Sequence, residues 1–133
     1  MKKILAMLLV VGSLSASAQN LRPLKDIMED MGTSFKTIGA SLMVGSINAK
    51  VVTESDKLIT LTRESAQITP DTILSLPRVE QANAKALYDK EMKELEAALI
   101  ELNTAVKSNN LDAAKKALTK VNDMKKQGHK DFK

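Results

Sequence analysis

The chain has no cysteine and no tryptophan, and only one histidine, one tyrosine and two phenylalanines. Without cysteine there can be no disulfide, no thiolate metal site and no cofactor attached through thioether bonds. One histidine cannot supply the paired Glu-x-x-His motifs of carboxylate-bridged dimetal bundles. The aromatics, Phe35, Tyr88 and Phe132, are too few to make a stacking platform for nucleic-acid bases. Charge does not suggest nucleic acid either, since the formal +4 falls to +2 once Lys2 and Lys3 are set aside. The stretch "MVGSINAK" lacks the spaced glycines of a phosphate-binding loop. No catalytic constellation emerges, so an enzyme is not expected.

What is present begins with a leader. "MKKILAMLLVVGSLSASA" places two lysines before an apolar run that ends at Val11, then small residues through Ala18. This is the layout of a secretory signal peptide spanning 1–18, with cleavage expected after Ala18. The apolar run is too short to span a bilayer. The remaining chain, 19–133, is long enough for one domain with a modest core, exported and without a membrane span.

After the leader the chain reads as helix throughout. From about Leu21 to Met43, apolar residues recur at Leu24, Met28, Met31, Phe35, Ile38 and Leu42, one stripe of a helix. Pro23 suits its first turn, and "VGSIN" marks a turn after it. A second helix, from about Ala49 to Ile68, should turn Val51, Ser55, Leu58, Thr62 and Ser65 or Ala66 inward. "TPDTILSLPR" is the longest connection, and its Ile73, Leu74 and Leu76 are expected to fold over the bundle. A third helix, from about Val79 to Lys107, repeats Tyr88, Met92, Leu95, Leu99, Leu102 and Val106. "KSNN" is a turn in which Asn109 or Asn110 can cap a fourth helix, from Leu111 to about Phe132, with Leu111, Ala114, Leu118 and Val121 inward. The expected fold is all-α, an antiparallel up-down-up-down four-helix bundle.

His129 lies eighteen residues after Leu111, about five turns at ~3.6 residues each, and so shares the azimuth of a core leucine. Past Val121 the inward positions become Lys125 and Gly128, a long charge and a side chain without volume. A core that thins in this way leaves room for something else. The topology brings the start of helix one, with Met28 and Met31, beside this end of helix four. Two bland readings compete with a ligand pair. Methionines on a helical stripe commonly fill a core, and a lone histidine in a last turn can be an ordinary surface residue.

"LKDIMEDMGTSFKTI" and "LDAAKKALTKVNDMKKQGHKDFK" resemble the first and last helices of the cytochrome b562 family. The resemblance covers essentially the whole chain after the leader. It implies a small exported periplasmic protein that holds one haem b non-covalently and carries electrons to a redox partner protein it does not identify. A monomer is expected. The family's axial ligands, a methionine early in helix one and a histidine near the C-terminus, fall on Met28 and His129. Its haem-lining positions on helix three fall on Tyr88 and Met92, one aromatic kept and one replaced. Lys125 and Lys133 stand where the family can show arginines, so they are candidates for pairing with haem propionates. Depth also separates Met28 from Met31. At ~1.5 Å per residue they lie roughly 8 and 12 Å into helix one, against roughly 5 Å for His129 from the end of helix four. The rival expectation is a haem-free periplasmic bundle that binds a partner protein, with the methionines as core and the lysines of helix four as a basic face.

Overall fold

The computed structural model describes residues 22–132; the expected leader and its cleavage site lie outside them. Four long helices, α1 (Leu24–Met43), α2 (Ala49–Ala66), α4 (Arg78–Lys107) and α5 (Leu111–Phe132), are joined by two short turns and one longer connection carrying the single turn α3 (Asp71–Leu74). There is no strand among the described residues.

The helix ends follow from local chemistry. Pro23 caps α1, and its carbonyl accepts from the Asp26 and Ile27 amides at 3.0 and 3.3 Å. At the other end Gly45 adopts φ 74°, which lets the Ser46 amide reach the Ser41 carbonyl at 2.9 Å and the Gly45 amide reach that of Leu42. This six-to-one and five-to-two pattern satisfies carbonyls that a helix end leaves without partners. Asn48 starts α2 by accepting from the Val51 amide at 3.0 Å. The second turn divides its labour between two asparagines. Asn109 takes the left-handed conformation (φ 54°), and Asn110 accepts from the Ala113 amide to cap α5.

Neighbouring helices run antiparallel, because contacts between them pair early residues with late ones. Arg22 reaches Glu64, Asn103 donates to Ser55 and Asp56, Tyr88 donates to the Ser65 carbonyl, and Lys120 reaches Glu101. The main core joins Ile38 and Leu42 with Val51, Leu58, Leu99, Leu102, Val106, Ala114 and Val121. In α2 the expected inward Val51, Ser55, Leu58, Thr62 and Ser65 are all buried, and the three hydroxyls bond carbonyls of their own helix.

Three expectations are corrected. In α1 the fully buried residues are Ile27, Ser34, Ile38 and Leu42, not the whole stripe through Leu24, Met28, Met31 and Phe35. The helix packs closely on α2 and only loosely on α5, so its α2-facing side is covered while the Met28 row looks into a gap. Of the three apolar residues of the long connection, Ile73 is buried on Tyr88 and Met92, Leu74 lines the cleft while largely exposed, and Leu76 is exposed. In α5, Ala117 is buried beside Ala114 and Val121, while Leu111 and Leu118 are half-buried at the core margin.

Candidate functional site

The gap between α1 and α5 widens into a cleft of about 1560 Å³ where α1 begins, α5 ends and α3 crosses. It exceeds the roughly 300–1,000 Å³ of most small-molecule sites. Its walls are largely apolar, with Leu24, Met28, Met31 and Phe35 from α1, Tyr88, Met92 and Leu95 from α4, and Met124, Gly128, His129 and Phe132 from α5.

Met28, Met31, Tyr88, Met92, Lys125, Gly128 and His129, the residues singled out in the sequence, all line this one cleft. Met28 is 37 % exposed, a high value for a methionine on the inner side of a bundle, and His129 is exposed on the facing helix. Met31 is half-buried, and its sulfur lies 3.6 Å from the Ser65 hydroxyl, whose proton goes to the Leu61 carbonyl at 2.9 Å. A methyl group placed on Gly128, or on Gly32 across the cleft, would meet nothing within 4 Å, so both helix backbones stand open to a bulky group. Lys125 extends from α5 to place its ammonium 5.1 Å from the Phe35 ring on α1, a cation–π contact between the two walls.

Tyr88 forms the floor. Its hydroxyl donates to the Ser65 carbonyl at 2.7 Å, and its ring meets Phe132 edge-on at 5.3 Å. Burial, with the Asp89 charge beside it, pushes the phenol up to about 12, so it stays a neutral donor. Phe132 is tied to α3, where the Thr72 hydroxyl donates to its carbonyl at 2.9 Å.

Sequence reasoning missed Phe35, Met124, Phe132 and Glu91 as cleft residues. Glu91 follows Tyr88 by three positions, at the edge of the apolar stripe, and one of its carboxylate oxygens is shut off without a hydrogen-bond partner. Desolvation first, then the Asp131 carboxyl and the nearby Glu94, raise Glu91 to about 7, with Lys90 opposing. Asp131 moves the opposite way, held down by the Gln127 amide and then by Glu91, so a proton shared by the two carboxyls resides on Glu91.

Among the described residues no three His, Cys, Asp or Glu side chains converge to hold a metal ion. None of the described helices is long and apolar enough to cross a membrane. A protein-family model described as Cytochrome b562 matches residues 23–133. No curated protein and no solved structure matches the chain significantly.

Proposed function

We propose, from the premise that the chain belongs to the cytochrome b562 family, that it is an exported, monomeric one-electron carrier holding a single haem b between α1 and α5. Met28 and His129 are the axial ligands in this reading. Family membership implies a haem-binding, electron-carrying protein and not an enzyme.

The observation that carries it is the pairing of Met28 and His129 on opposite walls of one cleft, with Gly32 and Gly128 leaving the flanking backbone uncovered. The donor set suits haem iron, since one thioether and one imidazole form a known axial pair. Met31 is less suited to the role because it is half-buried, with its sulfur turned to the Ser65 hydroxyl, whereas Met28 is open. The rival haem-free module would have these methionines as filled core, which agrees poorly with Met28 at 37 % exposure.

Bound haem supplies an iron that exchanges one electron. The protein's part is to clamp, enclose and tune. Met28 and His129 would hold the iron, supplying one thioether and one imidazole. Tyr88, Met92, Phe35 and Phe132 provide the apolar wall that keeps water out. Lys125, at the rim, can turn from the Phe35 ring to a propionate, giving charge without the bidentate fork of an arginine. With no cysteine in the chain nothing holds the group covalently. Binding therefore stabilises the folded state by mass action and is reversible.

Reconstitution with haem tests this. The expected product has one equivalent of haem, a sharp reduced α-band and complete extraction into acidic organic solvent. Met28→Ala should shift the ferric spectrum toward high spin and lower the potential. Met31→Ala should keep the low-spin spectrum and cost about 2 kcal/mol of stability, the low end for such truncations. The reverse pattern would refute the ligand assignment.

A further inference from the structure

The lysines of the bundle are unevenly partnered. Lys85, Lys90, Lys107 and Lys120 each reach a carboxylate on α2 or α4. Lys25 and Lys36 of α1 and Lys126 and Lys130 of α5 are exposed, and none of the ion pairs among the described residues includes them. Along α5 six lysines stand against three aspartates, whereas α1, α2 and α4 together carry ten basic and twelve acidic residues. The positive excess of the four helices is therefore on α5.

Helix geometry gathers the four free lysines on one side. Phe35 of α1 meets Lys125 of the antiparallel α5. The next residue on either helix is rotated by about 100°, and in antiparallel neighbours both rotations lead to the same outer face. Lys36 and Lys126 thus stand side by side above that contact. Lys130 follows Lys126 by about one turn, and Lys25 precedes Lys36 by about three. The exposed Met28 and His129 lie between the two rows, at the mouth of the cleft. Glu29 is the one carboxylate of α1 set among these lysines. On α5, Asp131 turns to Glu91 of α4, and Asp123 stands about 60° round from Lys126 on the side away from α1.

A cation in the last turns of a helix answers the helix dipole, which accounts for Lys126 and Lys130. It does not account for Lys25, which sits in the first turn of α1, where the dipole opposes it. Lys126 and Lys130, four positions apart, also repel each other. We propose that this basic face, centred on the exposed Met28 at the cleft mouth, docks the acidic patch of a partner protein. An apolar centre within a polar rim is the anatomy of a protein contact. A flat anionic membrane suits the face less, because no exposed residue of α5 is apolar and a plane would also meet Asp123. That the partner exchanges electrons rests on the haem reading, whereas the docking face does not.

The test adds an oligoglutamate peptide at low salt to the nitrogen-15-labelled chain, with and without haem, and follows its backbone amide signals. The shifts should centre on Lys25, Lys36, Lys126 and Lys130 and vanish at high salt. Lys36→Gln/Lys126→Gln/Lys130→Gln should weaken binding by at least about tenfold. Lys50→Gln/Lys57→Gln/Lys93→Gln, which removes the same charge from α2 and α4, should change it by less than about twofold. No binding, equal loss in the two triple variants, shifts spread over α2 and α4, or binding to phosphatidylglycerol vesicles with none to the peptide would each overturn the docking face. A chain that docks the peptide on these lysines but takes up no haem would sink the redox role of the partner alone.

Discussion

Around Leu102, Ala105 and Val106 the bundle closes on itself, whereas around Tyr88 and Met92 it parts. At the closed end branched aliphatics from all four long helices meet. There α1 and the turn after it come near enough to α5 that a methyl group on Gly39 or Gly45 would touch Leu118 or Leu111 at 3.9 or 3.7 Å. Asn103 adds a buried link, donating to Ser55 and Asp56 of α2 at 2.7 and 2.8 Å. At the cleft end the same two helices carry glycine and methionine, and the only cluster is the small group of Ile73, Tyr88 and Met92. The contrast teaches a division of labour. One end supplies the folding free energy, and that leaves the other free to keep apolar surface open for a ligand.

The largest expected effect tests that division directly. Leu102→Ala removes a fully buried side chain from the closed end and leaves a cavity that its neighbours cannot fill. It should cost about 4 kcal/mol, in the upper part of the ~2–5 kcal/mol range for such truncations. Met92→Ala removes similar volume at the cleft end, but its cavity merges with space already open. The cost there should be about 2 kcal/mol, close to the transfer cost alone. Urea denaturation of the haem-free chain measures both, and equal losses would break the comparison.

A smaller effect comes from pH and belongs to the cleft end alone. Glu91 is raised to about 7 in the folded chain from an ordinary value of 4.5, so the folded state holds its proton more tightly than the unfolded one. Its contribution to stability is fully present below the ordinary value and is lost as pH rises through about 7. Asp131, which is lowered, acts in a different window, giving stability above its ordinary 3.8 that is lost only as pH falls below it. The haem-free chain should therefore become more stable between about pH 8 and about pH 5. Glu91→Gln should flatten that slope without altering the closed end. Urea midpoints across this interval decide the matter, and an unchanged slope in the variant would show that Glu91 is not its source.

The two ends also differed in how much of them could be read beforehand. Periodicity located all four long helices, and the turn residues placed their ends, with Asn109 and Asn110 needing the structure only to sort out which bends and which caps. The closed end was legible because its residues obey one rule, apolar every three or four positions. The cleft end breaks that rule. Ile27 and Met28 differ by about 100° around α1, and periodicity cannot tell a stripe buried against a neighbour from one facing a gap. The thinning at Lys125 and Gly128 was the one sign of the gap visible in advance. Glu91 carries no sign of its role in the sequence, because it sits at the edge of a stripe and its desolvation depends on α5 packing beside it. Met124 was missed because the inward series was followed from Val121 to Lys125, although the three-residue step was equally open. Ile73, Leu74 and Leu76 are apolar enough to be expected over the bundle, and Ile73 and Leu74 do lie there, at Tyr88 and at the cleft, but the short α3 leaves Leu76 exposed.

The smallest expected effect on stability falls on the residue with the largest proposed role. His129 is exposed in the last turn of α5, one turn short of the residue that anchors that end, Phe132, which packs on Tyr88. His129→Ala therefore removes almost no buried area and leaves the Phe132 contact in place. Haem-free His129→Ala should keep its helix content and its urea midpoint to within about 0.5 kcal/mol, as exposed substitutions generally do. Haem-loaded, the same variant should lose the low-spin spectrum, because the imidazole is the stronger of the two proposed ligands and no second histidine exists to replace it. A group whose removal leaves the fold untouched and abolishes the spectrum belongs to the cofactor and not to the core. A variant that kept the wild-type spectrum would remove His129 from the site, and with it the reason for reading the exposed end of α5 as anything but a helix terminus.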